Sequence, residues 1–117
     1  MDITKDVAAV VNASGISEGV CVVSVPHTTA AVFINENADP DALADILASL
    51  DQMVPWEAGY RHAEGNAAAH IKATLVGTSQ TIPIADGRLS LGRWQGIFFA
   101  EFDGPRDRVC RVSVLAT

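Results

Sequence analysis

The sequence predicts an α+β fold in one domain that spans residues 1–117. Three stretches before Gly77 carry helical patterns, whereas the chain after Gly77 contains only strand-like runs. Asp86-Gly87 is a strong two-residue hairpin turn between two of those runs. Because hairpins join antiparallel neighbours, we expect mostly antiparallel sheets together with about three helices.

Two helices are predicted in the first half of the chain. The first covers about 3–14, with Asp2 or Thr4 as its cap and Gly15 as its C-terminal stop. The second begins at Asp39-Pro40, because aspartate caps helices well and proline is tolerated at the first helical position. Its apolar stripe is expected to face the core and consists of Leu43, Ile46, Leu47 and Leu50.

A third helix is predicted over about Ala67–Val76, because a run of alanines follows Gly65-Asn66. Asn66 is a good N-cap, since its side-chain oxygen can accept from a free backbone N–H of the first turn. The buried row of this helix is expected to contain Ala68, Ile71 and Leu75, with His70 on a neighbouring row.

The strands are predicted from β-rich apolar runs that end at turn residues. The first run ends at Pro26 and is almost wholly apolar, so we expect it to be covered on both faces. The last run alternates apolar with polar residues, which predicts one buried face. The predicted strands are Val20–Val25, Ala30–Ile34, Thr78–Ile84, Arg88–Leu91, Gln95–Phe102 and Arg108–Ala116.

Composition excludes several classes of function. The net charge is −6 and no Lys/Arg cluster is present, so the chain is a poor binder of nucleic acid and of anionic membrane surfaces. The aliphatic runs are too short to span a bilayer, and no signal peptide is recognisable. We therefore predict a cytoplasmic protein in which Cys21 and Cys110 are reduced, buried thiols, with a disulfide between them as the alternative.

The histidines supply the candidate chemistry. His62 and Glu64 precede the third helix, His70 lies one turn into it, and His27 follows the first strand. Three histidines with an open fourth position are a frequent catalytic zinc site, and Glu64 can serve as an acid, a base or a partner of the ligands. The alternatives without a functional role are a core histidine at position 70 and a surface histidine at position 62.

Other polar residues are candidates for binding a ligand. Thr28 and Thr29 follow the first strand, although they equally suit a polar turn. Arg106, at a turn, is a candidate phosphate clamp, or else a surface arginine paired with an aspartate. Gln95 offers an amide beside Trp94, and free N–H groups after Gly65 can bind phosphate. No phosphate-binding loop, dinucleotide fingerprint or nucleophile elbow is present.

An ordered set of short motifs resembles the secondary thiamine-phosphate synthase family over nearly the whole chain. The motifs are His27-Thr28-Thr29-Ala30, Ile34-Asn35-Glu36, Asp39-Pro40, His62-x-Glu64-Gly65-Asn66, Ala69-His70, Gly77-x-Ser79, Gly87-x-Leu89-x-Leu91-Gly92-x-Trp94-Gln95 and Glu101-x-Asp103-Gly104-Pro105-Arg106. The resemblance implies a β-sandwich-like core, a homotrimer and a site that includes histidines. It also implies a transferase that joins a pyrimidine diphosphate to a thiazole phosphate. Members of that family usually begin with a further strand, which we expect this chain to lack.

These observations give a working hypothesis of a metal-assisted enzyme that acts on phosphorylated small molecules. His27, His62 and His70 would bind a divalent ion, most simply zinc, with Glu64 and His70 catalytic. The ligand would be oriented by Thr28, Thr29, Asn66, Gln95 and Arg106. The alternatives are a metal-dependent phosphohydrolase, a non-catalytic metal- or metabolite-binding trimer, and histidines that bind no metal and only donate to an anion.

Overall fold

Three helices and two antiparallel sheets form the protein, whose computed structural model describes residues 1–117. The elements in chain order are α1 (Thr4–Ser14), β1 (Gly19–Ser24), β2 (Ala30–Glu36), α2 (Pro40–Met53), α3 (Ala67–Val76), β3 (Ser79–Ala85), β4 (Arg88–Leu89), β5 (Gln95–Glu101) and β6 (Arg111–Ala116). One sheet has the strand order β4-β3-β1-β6, and β2 pairs with β5 in the other. The predicted α+β class is confirmed.

The core lies where α1 and the inward faces of the two sheets meet. Val7 and Val11 of α1 pack with Val23 of β1, Ile82 of β3 and Ile97 of β5, and each of these side chains is almost completely buried. This burial of apolar surface is the main favourable term that holds the layers together. It also fixes the ends of β1 and β2, between which His27, Thr28 and Thr29 lie.

Local signals set most of the element ends as predicted. Asp39 caps α2, because its Oδ1 accepts from the backbone N–H of Asp41 at 2.9 Å. Gly15 ends α1 with a φ of 69°. In the hairpin between β3 and β4, Asp86 and Gly87 have φ values of 51° and 75°, which is the left-handed conformation that a tight two-residue hairpin needs.

The predicted buried row of α3 is confirmed at Ala68 but wrong at its other two positions. Ile71 and Leu75 are exposed, whereas Lys72 is buried with a side-chain exposure of 8%. Lys72 is held by an ion pair with Asp51 and lies 5.8 Å from the centroid of the Phe102 ring. The charged partner and the aromatic face offset the cost of burying the ammonium group, so α3 packs through a face that hydrophobicity alone does not predict.

The apolar stripe of α2 is not in the core of the chain. No residue of α2 is fully buried, and Leu47 is 37% exposed. Leu43 and Leu47 instead line a cavity of about 440 Å³ together with the stacked rings of Phe33 and Phe98. The prediction that this stripe packs into the core of its own chain is therefore wrong.

Three further features complete the fold. Residues Met1–Ile3 lie beside β5, since the N–H of Ile3 donates to the carbonyl of Ile97 at 2.8 Å. Both cysteines are free, and burial raises the pKa of the Cys21 and Cys110 thiols. None of the three helices has both the length and the apolar character needed to cross a membrane.

Candidate functional site

A polar pocket of about 370 Å³ lies where the β1–β2 connection meets the start of α3 and the loop before β6. No hydrophobic side chain lines it. All the predicted site residues except Gln95 are in its wall, namely His27, Thr28, Thr29, His62, Glu64, Asn66, His70 and Arg106. The cavity beside α2 is larger but mostly apolar. We take the polar pocket as the candidate site, because it gathers the titratable side chains.

The ring of His27 is fixed in one tautomer by the backbone. Its Nε2 accepts from the N–H of Val109 at 2.8 Å. A ring nitrogen that accepts must carry its lone pair, so the proton of the neutral ring is on Nδ1. No acceptor in the chain binds that Nδ1–H, so His27, which lines the pocket, has one free hydrogen-bond donor.

His62 and His70 form a pair on the opposite wall. Their ring centroids are 4.8 Å apart and the ring planes are at 76° to each other. His70 is held in the first turns of α3, while His62 is on the loop before it and is more exposed. Two imidazoles in contact, each with one donor and one acceptor nitrogen, can donate to an oxyanion and exchange a proton with it.

We expected Asn66 to cap α3 through its side chain, but the side chain makes no capping hydrogen bond. Its Nδ2 instead donates to Oδ2 of Asp103 at 2.8 Å, a contact that fixes the orientation of the amide. Its buried Oδ1 is left without a hydrogen-bond partner. The backbone N–H groups of Ala67 and Ala68 have no acceptor in the chain, so the positive end of α3 is uncompensated beside the pocket.

Arg106 adopts the paired arrangement that was the alternative to a phosphate clamp. Its guanidinium donates to the Asp103 carboxylate at 2.9 Å and to the Asp103 carbonyl at 2.9 Å. The side chain is nevertheless 53% exposed and lines the pocket. A surface ion pair of this kind is weak, so Arg106 can turn toward an anion at little cost.

Arg108 is the site residue that sequence reasoning missed. It was placed within the last strand, but β6 begins only at Arg111. Its guanidinium binds Glu101 through two hydrogen bonds, of 2.7 and 2.5 Å, and Thr29 Oγ1 at 2.8 Å. The Thr29 hydroxyl predicted to orient a ligand therefore already accepts from Arg108. The alternation of acidic and basic residues from Glu101 to Arg108 was the sequence signal that could have predicted ion pairs around this turn.

Gln95 lies far from the pocket. It begins β5, whereas the pocket adjoins the other end of that seven-residue strand, a separation of roughly 20 Å at about 3.3 Å per residue. Its Oε1 accepts from the N–H of Gly92 at 2.7 Å. The structure therefore does not bring Gln95 together with the other predicted residues.

The predicted three-histidine zinc site does not form. No group of three or more His, Cys, Asp or Glu side chains is arranged to hold a metal ion. Histidines that bind metals usually donate their second ring N–H to an acceptor. His27 has the opposite environment, because its Nε2 faces the N–H donor of Val109. The donor set thus fits an anion better than a cation.

Comparisons with known proteins place the chain in a family. The family model described as UPF0047 protein YjbQ-like matches residues 1–117. The chain is 50% identical to UPF0047 protein YugU of Bacillus subtilis over 116 residues, which is 98% of this chain and 88% of that protein. It is also 50% identical to UPF0047 protein MJ1081 of Methanocaldococcus jannaschii over 115 residues, covering 98% and 83% of the two chains.

The chain belongs to the YjbQ/UPF0047 family. Solved structures of the family share its fold. A YjbQ/UPF0047 protein of Clostridium acetobutylicum superposes with a TM-score of 0.96 at 56% identity, covering 98% of this chain and 89% of that one. A YbjQ-like protein of unknown function from Sulfolobus solfataricus gives a TM-score of 0.96 at 37% identity, covering 100% and 86%.

The resemblance to secondary thiamine-phosphate synthases was wrong. The matching family is YjbQ/UPF0047, and the names of the relatives described above refer to neither thiamine phosphate, a transferase nor zinc. The metal-dependent phosphohydrolase and the metal-binding trimer gain no support from UPF0047 relatives either.

The ion pairs of the pocket predict a specific loss of stability in acid. Hydrogen bonds from Arg108 are the main reason that the pKa of Glu101 lies below its usual 4.5. Hydrogen bonds from Asn66 and then from Arg106 hold the pKa of Asp103 below 3.8. A pKa lowered in the folded state stabilises the protein above the unfolded pKa, and this contribution is lost as pH falls through the folded pKa.

We therefore expect the free energy of unfolding to fall steadily as pH is lowered from about 4.5, measured by urea denaturation between about pH 5 and about pH 3. Glu101→Gln removes one of the titrating groups and should give a shallower fall than the wild type. Identical pH profiles for the two proteins would contradict a stabilising role of the Glu101–Arg108 pair.

Proposed function

We propose that the polar pocket binds the phosphate group of a small phosphorylated molecule directly, without a bridging metal ion. The observation that carries this proposal is the fixed tautomer of His27, whose free Nδ1–H suits an oxyanion and not a cation. Arg106, the hydroxyl of Thr28 and the pair of His62 with His70 supply further donors around the same space.

Hydrogen bonding, more than net charge, supports the choice of ligand. The two arginines of the pocket face the carboxylates of Asp103 and Glu101, which offset most of their charge. Glu64 and the unpartnered Oδ1 of Asn66 are acceptors in the same wall. The donors that remain for a ligand are His27, the Thr28 hydroxyl, the pair of His62 with His70, and the uncompensated N-terminus of α3. Phosphate oxygens accept several hydrogen bonds at once, and hydrogen bonds to a charged group are stronger than neutral ones.

The first test is a calorimetric titration of the untagged protein, dialysed against EDTA, with inorganic phosphate and with glycerol 2-phosphate. We expect one molecule per chain with a Kd of about 1 mM or tighter, which corresponds to about 4 kcal/mol. Addition of EDTA during the titration should leave the Kd unchanged.

A zinc arm of the same titration separates the proposal from a metal-bridged site. Binding that appears only after zinc is added would contradict direct binding and restore a metal role for the histidines. No binding in either arm would reject the phosphate ligand. A divalent metal cofactor, the catalytic roles of Glu64 and His70, and a cytoplasmic location stay predictions.

We also propose that the chain assembles as a homotrimer. In support, the apolar stripe of α2 is only partly covered by its own chain, and the cavity beneath it is lined by Phe33 and Phe98. The radius of gyration is 15.6 Å, against about 13 Å for a compact domain of this length. A mass of three chains in light scattering is the expected result, and a monomer would contradict it.

A further inference from the structure

We infer that the Glu101–Arg108 ion pair is the positioning element that holds His27 in its donor tautomer. This inference rests on the proposed function, since it concerns how one donor of the phosphate pocket is prepared. It assigns a role to two residues that were not among the predicted site residues, of which only Arg108 lines the polar pocket. Glu101 lies outside the wall of the polar pocket, so its effect on the pocket must pass through Arg108.

The peptide group that fixes His27 belongs to a segment without regular structure. β5 ends at Glu101 and β6 begins at Arg111, so residues 102–110 take part in no sheet. Their backbone makes a single hydrogen bond to another backbone group, from the N–H of Phe102 to the carbonyl of Thr29 at 3.2 Å. The direction of the Val109 N–H is therefore not determined by a strand ladder.

The side chain of Arg108 supplies the missing constraint. It precedes Val109 directly and is half-buried, and its guanidinium makes two hydrogen bonds to Glu101. It also donates to Oγ1 and the carbonyl of Thr29, at 2.8 and 3.3 Å. Thr29 lies two residues after His27. The hydrogen bonds of Arg108 therefore connect the segment 102–110 to the segment that carries the histidine ring.

This geometry makes the tautomer depend on the ion pair. Bidentate pairing of a guanidinium with a carboxylate restricts orientation more than a single hydrogen bond does. When the pair is present, the Val109 N–H is held 2.8 Å from Nε2 of His27, and the ring proton is on Nδ1. When it is removed, the N–H is free to turn away, and both neutral tautomers become accessible to the ring.

The test is 15N NMR of the imidazole nitrogens in the full-length protein, because it distinguishes a protonated from an unprotonated ring nitrogen. In the wild type, His27 should show a single tautomer with the proton on Nδ1. Arg108→Gln and Glu101→Gln should each give a mixture of tautomers at His27. Arg108→Gln should also lower the affinity for phosphate by about tenfold. Glu101→Gln keeps the side-chain size and serves if Arg108→Gln does not fold.

Arg106→Gln is the matched control, since it makes the same substitution two residues away in the same loop. Arg106 binds Asp103 only, so this variant should weaken phosphate binding and leave His27 in one tautomer. An unchanged His27 tautomer in both Arg108→Gln and Glu101→Gln would overturn the inference, whether or not phosphate binds. Absence of phosphate binding in the wild type would instead reject the proposed function, because the tautomer readout needs no ligand.

Discussion

The double variant His62→Ala/His70→Ala is expected to bind inorganic phosphate at least about a hundredfold more weakly than the wild type. A hydrogen bond to a charged group contributes about 1.5–3 kcal/mol, so the loss of two donors costs about 3 kcal/mol or more. Calorimetric titration under the conditions that give a Kd for the wild type should then detect no binding.

Ile71→Ala is the control for this variant. Ile71 follows His70 directly on α3 and is 38% exposed, so its truncation removes a neighbour of the site without removing a donor. We expect its Kd to stay within about twofold of the wild type and its stability to change by about 0.5 kcal/mol or less. Wild-type affinity in the double variant would place the phosphate away from the histidine pair.

Gly19→Ala is expected to destabilise the fold by about 3 kcal/mol, at the upper end of the cost of overpacking. A Cβ at this position would lie 2.0 Å from the carbonyl oxygen of Leu115 and 3.2 Å from Cα of Ala116. Both atoms belong to the backbone of β6, which pairs with β1 in a continuous register. The strand cannot move aside without losing that ladder, and urea denaturation should report the loss.

Gly92→Ala is the control for the backbone clash at Gly19, because it makes the same substitution where no backbone atom lies close. The new Cβ would meet only the side chain of Gln95, at 3.3 Å from Oε1, and that side chain can rotate away. We expect a change in unfolding free energy of about 0.5 kcal/mol or less. Equal urea midpoints for Gly19→Ala and the wild type would show that β1 and β6 are not paired as described.

Two kinds of structural feature differ in how far the sequence predicts them. Elements with strong local signals were predicted well, such as α2 after Asp39-Pro40 and the hairpin at Asp86-Gly87. The alanine run likewise placed α3 at Ala67–Val76. Propensity and capping act within a few residues, so these features can be inferred without knowing what packs against them.

Predictions that depended on distant partners were the ones that failed. Asn66 was expected to cap α3, but Asp103 lies within its reach and takes its amide instead. β6 was expected to begin at Arg108, whose guanidinium is drawn to Glu101 and Thr29 and so keeps residues 108–110 out of the sheet. A charged side chain with a bidentate partner outweighs a modest preference for the strand conformation.

The sequence by itself determined the α+β class, most of the helix ends and the identity of the polar residues that a site would use. It could not determine what those residues do, because a histidine is a metal ligand or a hydrogen-bond donor according to the atom that faces its second nitrogen. That atom is the N–H of Val109, 82 residues away from His27 in the chain. Only the tertiary structure brings the two together, and it thereby makes His27 a donor to the pocket.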